Sequence, residues 1–182
     1  MAEEGQTFIP QYDDDGNQIL VKTKTGIWSV TYNGENRPID WICGSTNIVM
    51  KYDRMGRRVE YVEMVVDSVG STVVTNKHQR FVYDGYLCVQ RLNGANNAVT
   101  DLFEWDPTER VATRPLYWQH RTSSDNYSLF YTHDGNKNVS EVVFYQRARG
   151  IAAHYEYAPF GEVTVQTRGN AWGPLDLSML NP

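Results

Sequence analysis

Two short segments carry the side chains that are best suited to acid–base chemistry. His133 is followed directly by the carboxylate residue Asp134, and His154 lies 21 positions further along the chain (154 − 133). A histidine paired with a carboxylate can transfer protons near neutral pH. No serine or cysteine stands beside them in a recognisable nucleophile motif. We therefore expect turn or strand roles for His133 and His154, no catalytic residue and no enzymatic activity.

The two cysteines of the chain are a second source of possible chemistry. Cys43 and Cys88 each lie in an apolar, strand-like segment, where a small buried hydrophobic residue is the ordinary role of a free thiol. A disulfide bridge and a reactive nucleophile are the alternatives, and we favour buried free thiols. Histidines and cysteines are few and far apart in the sequence, so we predict no metal site and no cofactor.

Composition and charge describe a globular β protein. The 182 residues are 41% hydrophobic and 13% aromatic, with a formal net charge of −5, a balance that argues against disorder. The mild acidity makes nucleic acid an unfavourable partner, and no apolar run approaches the ~20 residues of a membrane span. Residues 1–6 lack the features of a secretory signal peptide. We expect a secreted or cell-surface protein that is exported by a signal-independent route, or otherwise a cytoplasmic one.

An internal repeat is the strongest structural signal. Residues 28–41 align with residues 48–61 at a constant offset of 20 (48 − 28). Each copy has an alternating apolar segment, a polar turn and a second alternating segment, which is typical of a β-hairpin. Asn36 in the first copy stands where Gly56 stands in the second, and these residue types best tolerate a left-handed backbone. The exchange therefore indicates a tight turn at both places.

The same tyrosine–aspartate signal recurs along the chain. Tyr12 precedes Tyr32 by 20 positions (32 − 12), whereas Tyr83 follows Tyr52 after 31 (83 − 52). The Asp-Ser-Val-Gly sequence of residues 67–70 is typical of a turn, and the longer spacing predicts a longer hairpin loop. We expect structural roles for the following repeat-motif residues: Tyr12, Asp13, Gly16, Tyr32, Asn36, Arg37, Tyr52, Asp53, Gly56, Arg57, Tyr83, Asp84, Trp105 and Asp106, with Trp105 in the tyrosine place.

Two later segments are the most distinctive of the chain. Residues 129–139 contain a His-Asp-Gly-Asn turn, and residues 153–161 contain Tyr-Glu-Tyr-Ala-Pro-Phe-Gly. Together with the Tyr-Asp repeats, they resemble the RHS family of tyrosine-aspartate (YD) repeat proteins, and in particular the segment that opens the RHS repeat-associated core domain. The resemblance covers residues 12–164. It adds six structural motif residues: Tyr131, Gly135, Tyr157, Pro159, Phe160 and Gly161.

The chain departs from the family after Gly161. The closing Asp-Pro-x-Gly motif, which contributes to self-cleavage in the toxin-bearing members, is missing from residues 162–182. Asp106-Pro107 is the only Asp-Pro pair, and no glycine stands two residues later. Self-cleavage is therefore not expected, and the repeats resemble a set that is truncated before the closing motifs of the core.

The resemblance implies a fold and a role. The expected fold is all-β, with consecutive antiparallel β-hairpin repeats that form a curved sheet, a segment of an RHS-type β-shell. Residues 1–11 are expected to be an N-terminal tail, residues 12–165 the repeat region and residues 166–182 a divergent C-terminal tail. The implied function is a non-enzymatic structural module in the wall of a shell that encapsulates or scaffolds a toxin or effector.

A binding module is the alternative function. The 12 tyrosines and 5 tryptophans could stack on sugar rings, although tyrosines in repeat register are expected to pack across strands. The expected partners are thus neighbouring RHS repeats or a toxin cargo, and a glycan or partner protein in the alternative. Exposed sheet edges could also cause self-association.

Overall fold

The computed structural model describes residues 8–66, 73–108, 114–121, 123, 126–145 and 150–168. These residues form β-strands joined by turns, and no helix occurs among them. Accordingly, no helix in these ranges is long and apolar enough to cross a membrane. The predicted turn at residues 67–70, most of the predicted C-terminal tail and residues 1–7 of the N-terminal tail lie outside the described residues.

Fourteen strands follow one another along the chain. Their bounds are β1 Gln11–Tyr12, β2 Gln18–Thr23, β3 Gly26–Tyr32, β4 Pro38–Cys43, β5 Thr46–Tyr52, β6 Arg58–Val66, β7 Val73–Asp84, β8 Leu87–Asn93, β9 Val99–Trp105, β10 Pro115–Arg121, β11 Asn126–His133, β12 Val139–Phe144, β13 Ile151–Tyr157 and β14 Val163–Arg168. The order of the strands in the sheet is the order in the chain. Each described pairing joins consecutive strands in antiparallel orientation. The predicted all-β architecture of consecutive hairpins is thus confirmed.

The chain divides into two compact units, which we describe separately. Unit 1 consists of Met1–Val82 and Arg91–Ala98, and unit 2 of Tyr83–Gln90 and Val99–Pro182. Within each unit, the described strands contact only their neighbours in the sheet. Each unit is therefore a single layer as far as its described strands go, and its buried apolar side chains are covered by side chains of adjacent strands.

In unit 1, the alternation predicted from the sequence separates two faces. Trp28 and Val30 are buried, while Ile27, Ser29 and Thr31 between and beside them are exposed. Trp28 packs edge-on against Trp41, with 6.3 Å between the ring centroids. Because strand neighbours in register share a face, the pairs of Trp41 with Val30 and with Ile48 extend this aromatic face over β3, β4 and β5.

In unit 2, one face holds the best-packed core of the chain. Leu129, Val142 and Ala153 are completely buried, and Trp118 is nearly so. Aromatic residues of neighbouring strands cover them: Phe103 stacks on Trp118, and Tyr127 packs edge-on against both Trp118 and Phe144. Large aromatic rings that lie side by side on a sheet provide this cover without a second layer.

Adjacent residues of β11 allow the one-sided core to be tested. Leu129 is 0% exposed, whereas Phe130, on the opposite face, is 41% exposed. We expect Leu129→Ala to lower the free energy of unfolding by about 2–5 kcal/mol, since it leaves a cavity. Phe130→Ala should cost less than about 1 kcal/mol. Urea unfolding followed by circular dichroism checks both values, and equal losses would contradict a core that lies on one face.

Candidate functional site

The recurring structure in unit 1 is a five-residue turn that closes every second hairpin. We call these segments bulge turns, and in unit 1 they are residues 13–17, 33–37 and 53–57. In each, the first residue donates its backbone N–H to the carbonyl of the fifth at 2.9–3.0 Å, and the fourth donates to the carbonyl of the first. The strand register shifts by one residue just before each turn. This geometry is a type I turn followed by a bulge residue in left-handed conformation.

The fourth residue of each bulge turn has the left-handed backbone. Its φ is +83° at Gly16, +58° at Asn36 and +80° at Gly56. The exchange of asparagine for glycine in the sequence repeat therefore reflects turn conformation, as predicted.

The first residue of each bulge turn holds the turn closed with its side chain. Oδ1 of Asp13, Asn33 and Asp53 accepts hydrogen bonds from the backbone N–H groups of the third and fifth turn residues, at 2.8–3.1 Å. The Asn17 side-chain amide lowers the pKa of the Asp13 carboxyl, and Arg57 lowers that of Asp53. Aspartate at this position therefore has a structural role: its carboxylate accepts hydrogen bonds from backbone N–H groups of the turn.

The tyrosine before each bulge turn reaches back to the preceding hairpin. The Tyr32 hydroxyl donates to the Gln18 carbonyl at 3.0 Å, and the Tyr52 hydroxyl donates to the Pro38 carbonyl at 2.9 Å. Gln18 and Pro38 each follow the preceding bulge turn directly. Tyr12, in contrast, is 58% exposed, and its hydroxyl has no partner among the described residues.

The fifth residue of the first and of the second bulge turn contacts the bulge turn that follows. The Asn17 side-chain amide donates to Asn36 Oδ1 at 3.0 Å. The Arg37 guanidinium occupies the space beside Gly56 that a Cβ atom would need, and its Nη1 lies 3.5 Å from the Asp53 carbonyl oxygen. Its Cζ also lies 5.9 Å from the centre of the Tyr52 ring. The bulge turns of unit 1 therefore form a ladder, in which each turn is linked to the one that follows.

Unit 2 repeats the same turn chemistry with changes. Its bulge turns are residues 134–138 and 158–162, closed by the same backbone pairs. Asp134 caps its turn at 2.8 and 2.9 Å, and the Asn138 amide bonds its other carboxylate oxygen, which lowers the Asp134 pKa. Tyr157 and Trp105 donate to the carbonyls of Val139 and Cys88, both at 2.8 Å. Trp105 thus fills the tyrosine place, as the sequence indicated.

In the turn 134–138, the motif residues Gly135 and Tyr131 lie at other positions than their counterparts in the bulge turns of unit 1. The left-handed residue in the turn 134–138 is Lys137, with φ +69°, whereas Gly135 is the second turn residue and has no left-handed backbone. The residue directly before this turn is His133, and Tyr131 lies two residues earlier in the buried core. Burial raises the Tyr131 pKa. His133 therefore takes the tyrosine place, and its Nε2 is buried without a hydrogen-bond partner in the described structure.

The remaining motif residues lie at strand ends and turn tips. Tyr83 and Asp84 end β7 and lead into a two-residue turn at 85–86, where Gly85 has φ +55°. Asp106 bonds the backbone and side chain of Thr108 and lies 3.0 Å from an Arg114 nitrogen. Pro159, Phe160 and Gly161 form the last bulge turn, in which Gly161 has φ +86° and Phe160 is fully exposed at the tip.

The two histidines considered for acid–base chemistry, His133 and His154, each lie close to charged side chains. Burial and the positive charge of Arg114 lower the His133 pKa, and Asp134 uses both carboxylate oxygens within its own turn. His154 lies between two carboxylates, 3.6 Å from Glu141 and 3.4 Å from Glu156. Cys43 and Cys88 form no disulfide with each other, and both are partly exposed rather than fully buried. In the described ranges, no group of three His, Cys, Asp or Glu residues is placed to hold a metal ion.

Sequence reasoning missed a charged cluster on β5, β6 and β7 of unit 1. Glu60 is only 9% exposed and lies 2.5 Å from Lys51, 2.9 Å from His78 and 3.1 Å from Arg80. Hydrogen bonds from Lys51 and His78, followed by Arg80, lower the Glu60 pKa from 4.5 to about 2. Lys51 and Arg80 are the register neighbours of Glu60, so this cluster becomes visible only once the strand pairing is known.

A buried acid–histidine pair in unit 2 was missed as well. Asp101 is 1% exposed, and its Oδ1 lies 2.7 Å from His120 Nδ1 and accepts a hydrogen bond from Trp118 Nε1 at 2.8 Å. The His120 ring packs against Tyr127, with 4.9 Å between centroids. Trp118 and His120 thus supply hydrogen-bond partners for the Asp101 carboxylate, which is buried among aromatic residues.

An apolar row crosses the opposite face of unit 2. Tyr117, Phe130, Val143 and Ile151 are register partners on β10 to β13. Phe130 contacts the Tyr117 ring at 5.1 Å and the ring of the exposed Tyr145 at 5.6 Å. Exposed apolar rows of this kind mark candidate binding surfaces.

Comparison with known proteins adds no family assignment. No protein-family model matches the sequence, and no curated protein is significantly similar to it.

The left-handed position in the third bulge turn gives one test. We expect Gly56→Val to lower the free energy of unfolding by about 1–3 kcal/mol, since valine strains a backbone at φ +80° and meets Arg37. Gly34→Ala is the matched control, because Gly34 has no left-handed backbone and open space around it. An unchanged melting temperature for Gly56→Val would contradict the assignment.

The Glu60 cluster predicts an acid-sensitive contribution to stability. A carboxyl group whose pKa is lower in the folded state stabilises above its unfolded pKa and loses this contribution as the pH falls. The relevant window is pH 4.5 to about 2. We expect Glu60→Gln to be less stable at pH 7 by on the order of 2 kcal/mol and to lose less stability across that window. Urea unfolding as a function of pH is the measurement, with the exposed Glu156→Gln as control, and parallel profiles would contradict the prediction.

Proposed function

We propose that the chain is a non-enzymatic structural module, part of the wall of an RHS-type shell that encapsulates or scaffolds a toxin or effector in a secreted or cell-surface system. The observation that carries the proposal is the ladder of bulge turns in unit 1. The links from Asn17 to Asn36 and from Arg37 to the turn of Gly56 recur at the sequence period of 20 residues. A sheet in which each hairpin is fastened to the next is suited to building an extended wall.

The single-layer construction of each unit supports the same role. In unit 1, no second layer of described strands covers the aromatic face of Trp28, Trp41 and Ile48, and Trp41 and Ile48 are only half-buried. An apolar face with this exposure favours contact with unfolded, apolar segments of a cargo. The mechanism would be steric: the hydrogen-bonded sheet shields a polypeptide that is held against it.

A glycan- or protein-binding adhesion module is the second candidate. The exposed rings of Phe130 and Tyr145, which lie beside the half-buried Tyr117 in unit 2, favour it, because aromatic rings on a sheet face can stack on sugar rings. In this role, the row would act as the contact surface.

Protection of an unfolded polypeptide tests the wall function. The probe is lysozyme that has been reduced and alkylated so that it cannot fold, and the measurement is its rate of proteolysis with and without excess chain. We expect slower cleavage in the presence of the chain. Ile48→Ser, on the aromatic face, should reduce the protection, and Met50→Gln serves as a second variant on that face. Ile42→Ser, on the opposite face and 45% exposed, should leave protection unchanged.

The outcomes separate the two candidates. Cleavage at the same rate with and without the chain would overturn the wall function. Saturable binding to an oligosaccharide panel that Phe130→Ala abolishes, together with a normal melting temperature, would instead support the adhesion module.

A further inference from the structure

The bulge turn at residues 13–17 is one member of the ladder, but no preceding bulge turn among the described residues contacts it. Each of the other two bulge turns of unit 1 is contacted by the fifth residue of the preceding turn. At Gly16, no atom of the described residues lies within 4 Å of the place where a Cβ atom would stand. Tyr12 is 58% exposed, although its counterparts Tyr32 and Tyr52 are half-buried and bonded to a carbonyl. The described part of β1 pairs only with β2.

We propose that β1 and this turn form a docking surface for a further β-hairpin, whose own bulge turn ends in arginine. This inference rests on the proposed wall function, and it specifies which kind of hairpin would bind at the β1 edge of the sheet. The docked hairpin would pair with β1 as β4 pairs with β5. One of its carbonyls would accept the Tyr12 hydroxyl, as the Pro38 carbonyl accepts that of Tyr52.

The fourth residue of a bulge turn determines which fifth residue of the preceding turn fits beside it, and glycine at this position favours arginine. Where the fourth residue is Asn36, the preceding turn supplies an asparagine, and the two side chains bond at 3.0 Å. Where it is Gly56, the space is filled by the guanidinium of Arg37. Gly16 has the same left-handed glycine as Gly56, so an incoming guanidinium can lie in the same place, beside the Asp13 carbonyl and the Tyr12 ring.

Charge favours the same occupant over a second copy of the chain. The second and third turn residues here are Asp14 and Asp15, both exposed, where the turn of Gly56 has Arg54 and Met55. These carboxylates attract a cationic residue. In the bulge turn 158–162, the fifth residue is Glu162, and stacking this turn onto Asp14 and Asp15 would bring like charges together.

A hairpin from the chain itself provides the probe. A backbone-cyclised peptide of residues 26–43 with Cys43→Ser contains β3, β4 and the turn that ends in Arg37. Its affinity for the full chain is measured by isothermal titration calorimetry, with the Arg37→Gln peptide as matched control. We expect saturable binding, weakened about tenfold or more in the control, because a charge-assisted contact is lost.

Variants of the full chain locate the site. Gly16→Asn keeps a residue type that tolerates the left-handed backbone, as at Asn36, but fills the space for the guanidinium, so binding should fall about tenfold. Tyr12→Phe removes only the hydroxyl and should weaken binding about threefold to tenfold. Gly161→Asn, in the same turn position of unit 2, should bind like the parent chain. Far-ultraviolet circular dichroism establishes that all variants fold.

Three results would overturn the proposal: no binding of the hairpin, equal binding of the Arg37→Gln peptide, or binding that Gly16→Asn and Tyr12→Phe leave unchanged. Sedimentation of the chain alone gives a further check. Dimerisation that Gly16→Asn suppresses would assign the surface to a second copy and so overturn it too. Hairpin binding without protection of unfolded lysozyme would instead overturn the wall function and leave the docking surface in place.

Discussion

Closure of a tight turn with a left-handed fourth residue is the constraint on which the rest of the structure depends. In the bulge turns, the additional residue shifts the strand register just before the turn, and the side chain of the first residue satisfies two backbone donors that strand pairing leaves open. The tyrosine at the bulge can then bond a carbonyl of the neighbouring strand. A single turn geometry therefore fixes the hairpin, its register and its attachment to the preceding hairpin.

A single sheet has no second layer to cover its side chains, and the two units compensate for this in different ways. Unit 2 covers its core with aromatic rings on the same face, and buries Asp101 by giving its carboxylate the donors of Trp118 and His120. Unit 1 buries fewer apolar side chains and adds cross-strand charge pairs around Glu60. The charge pairs at Glu60 weaken in acid, because the carboxylate takes up a proton. On the aromatic face of unit 1, Trp41 and Ile48 are only half-buried.

The sequence was sufficient for the features that depend on local backbone. The offset of 20 residues identified the turns at Asn36 and Gly56, and alternation identified the buried face of Trp28 and Val30. In the turn 134–138, Lys137 takes the left-handed position, which the sequence did not identify. Lysine carries no signal for that conformation. The clusters of Glu60 and Asp101 join residues 9 to 20 positions apart on neighbouring strands, so they depend on register, which composition and spacing leave undetermined.

Similar repeats could stack in the wrong order, and the fourth and fifth turn residues can prevent this. The tyrosine and the capping residue recur in all bulge turns of unit 1, so they cannot distinguish which turn should follow which. The fourth and fifth residues do differ: the Asn17 amide matches the Asn36 oxygen, and the Arg37 guanidinium matches the space at Gly56. An arginine at position 17 would meet the Asn36 side chain instead of open space, and an asparagine at position 37 would be too short to reach Asp53. A mismatch of either kind leaves a polar group unpaired or a gap unfilled, which penalises hairpins that stack out of order.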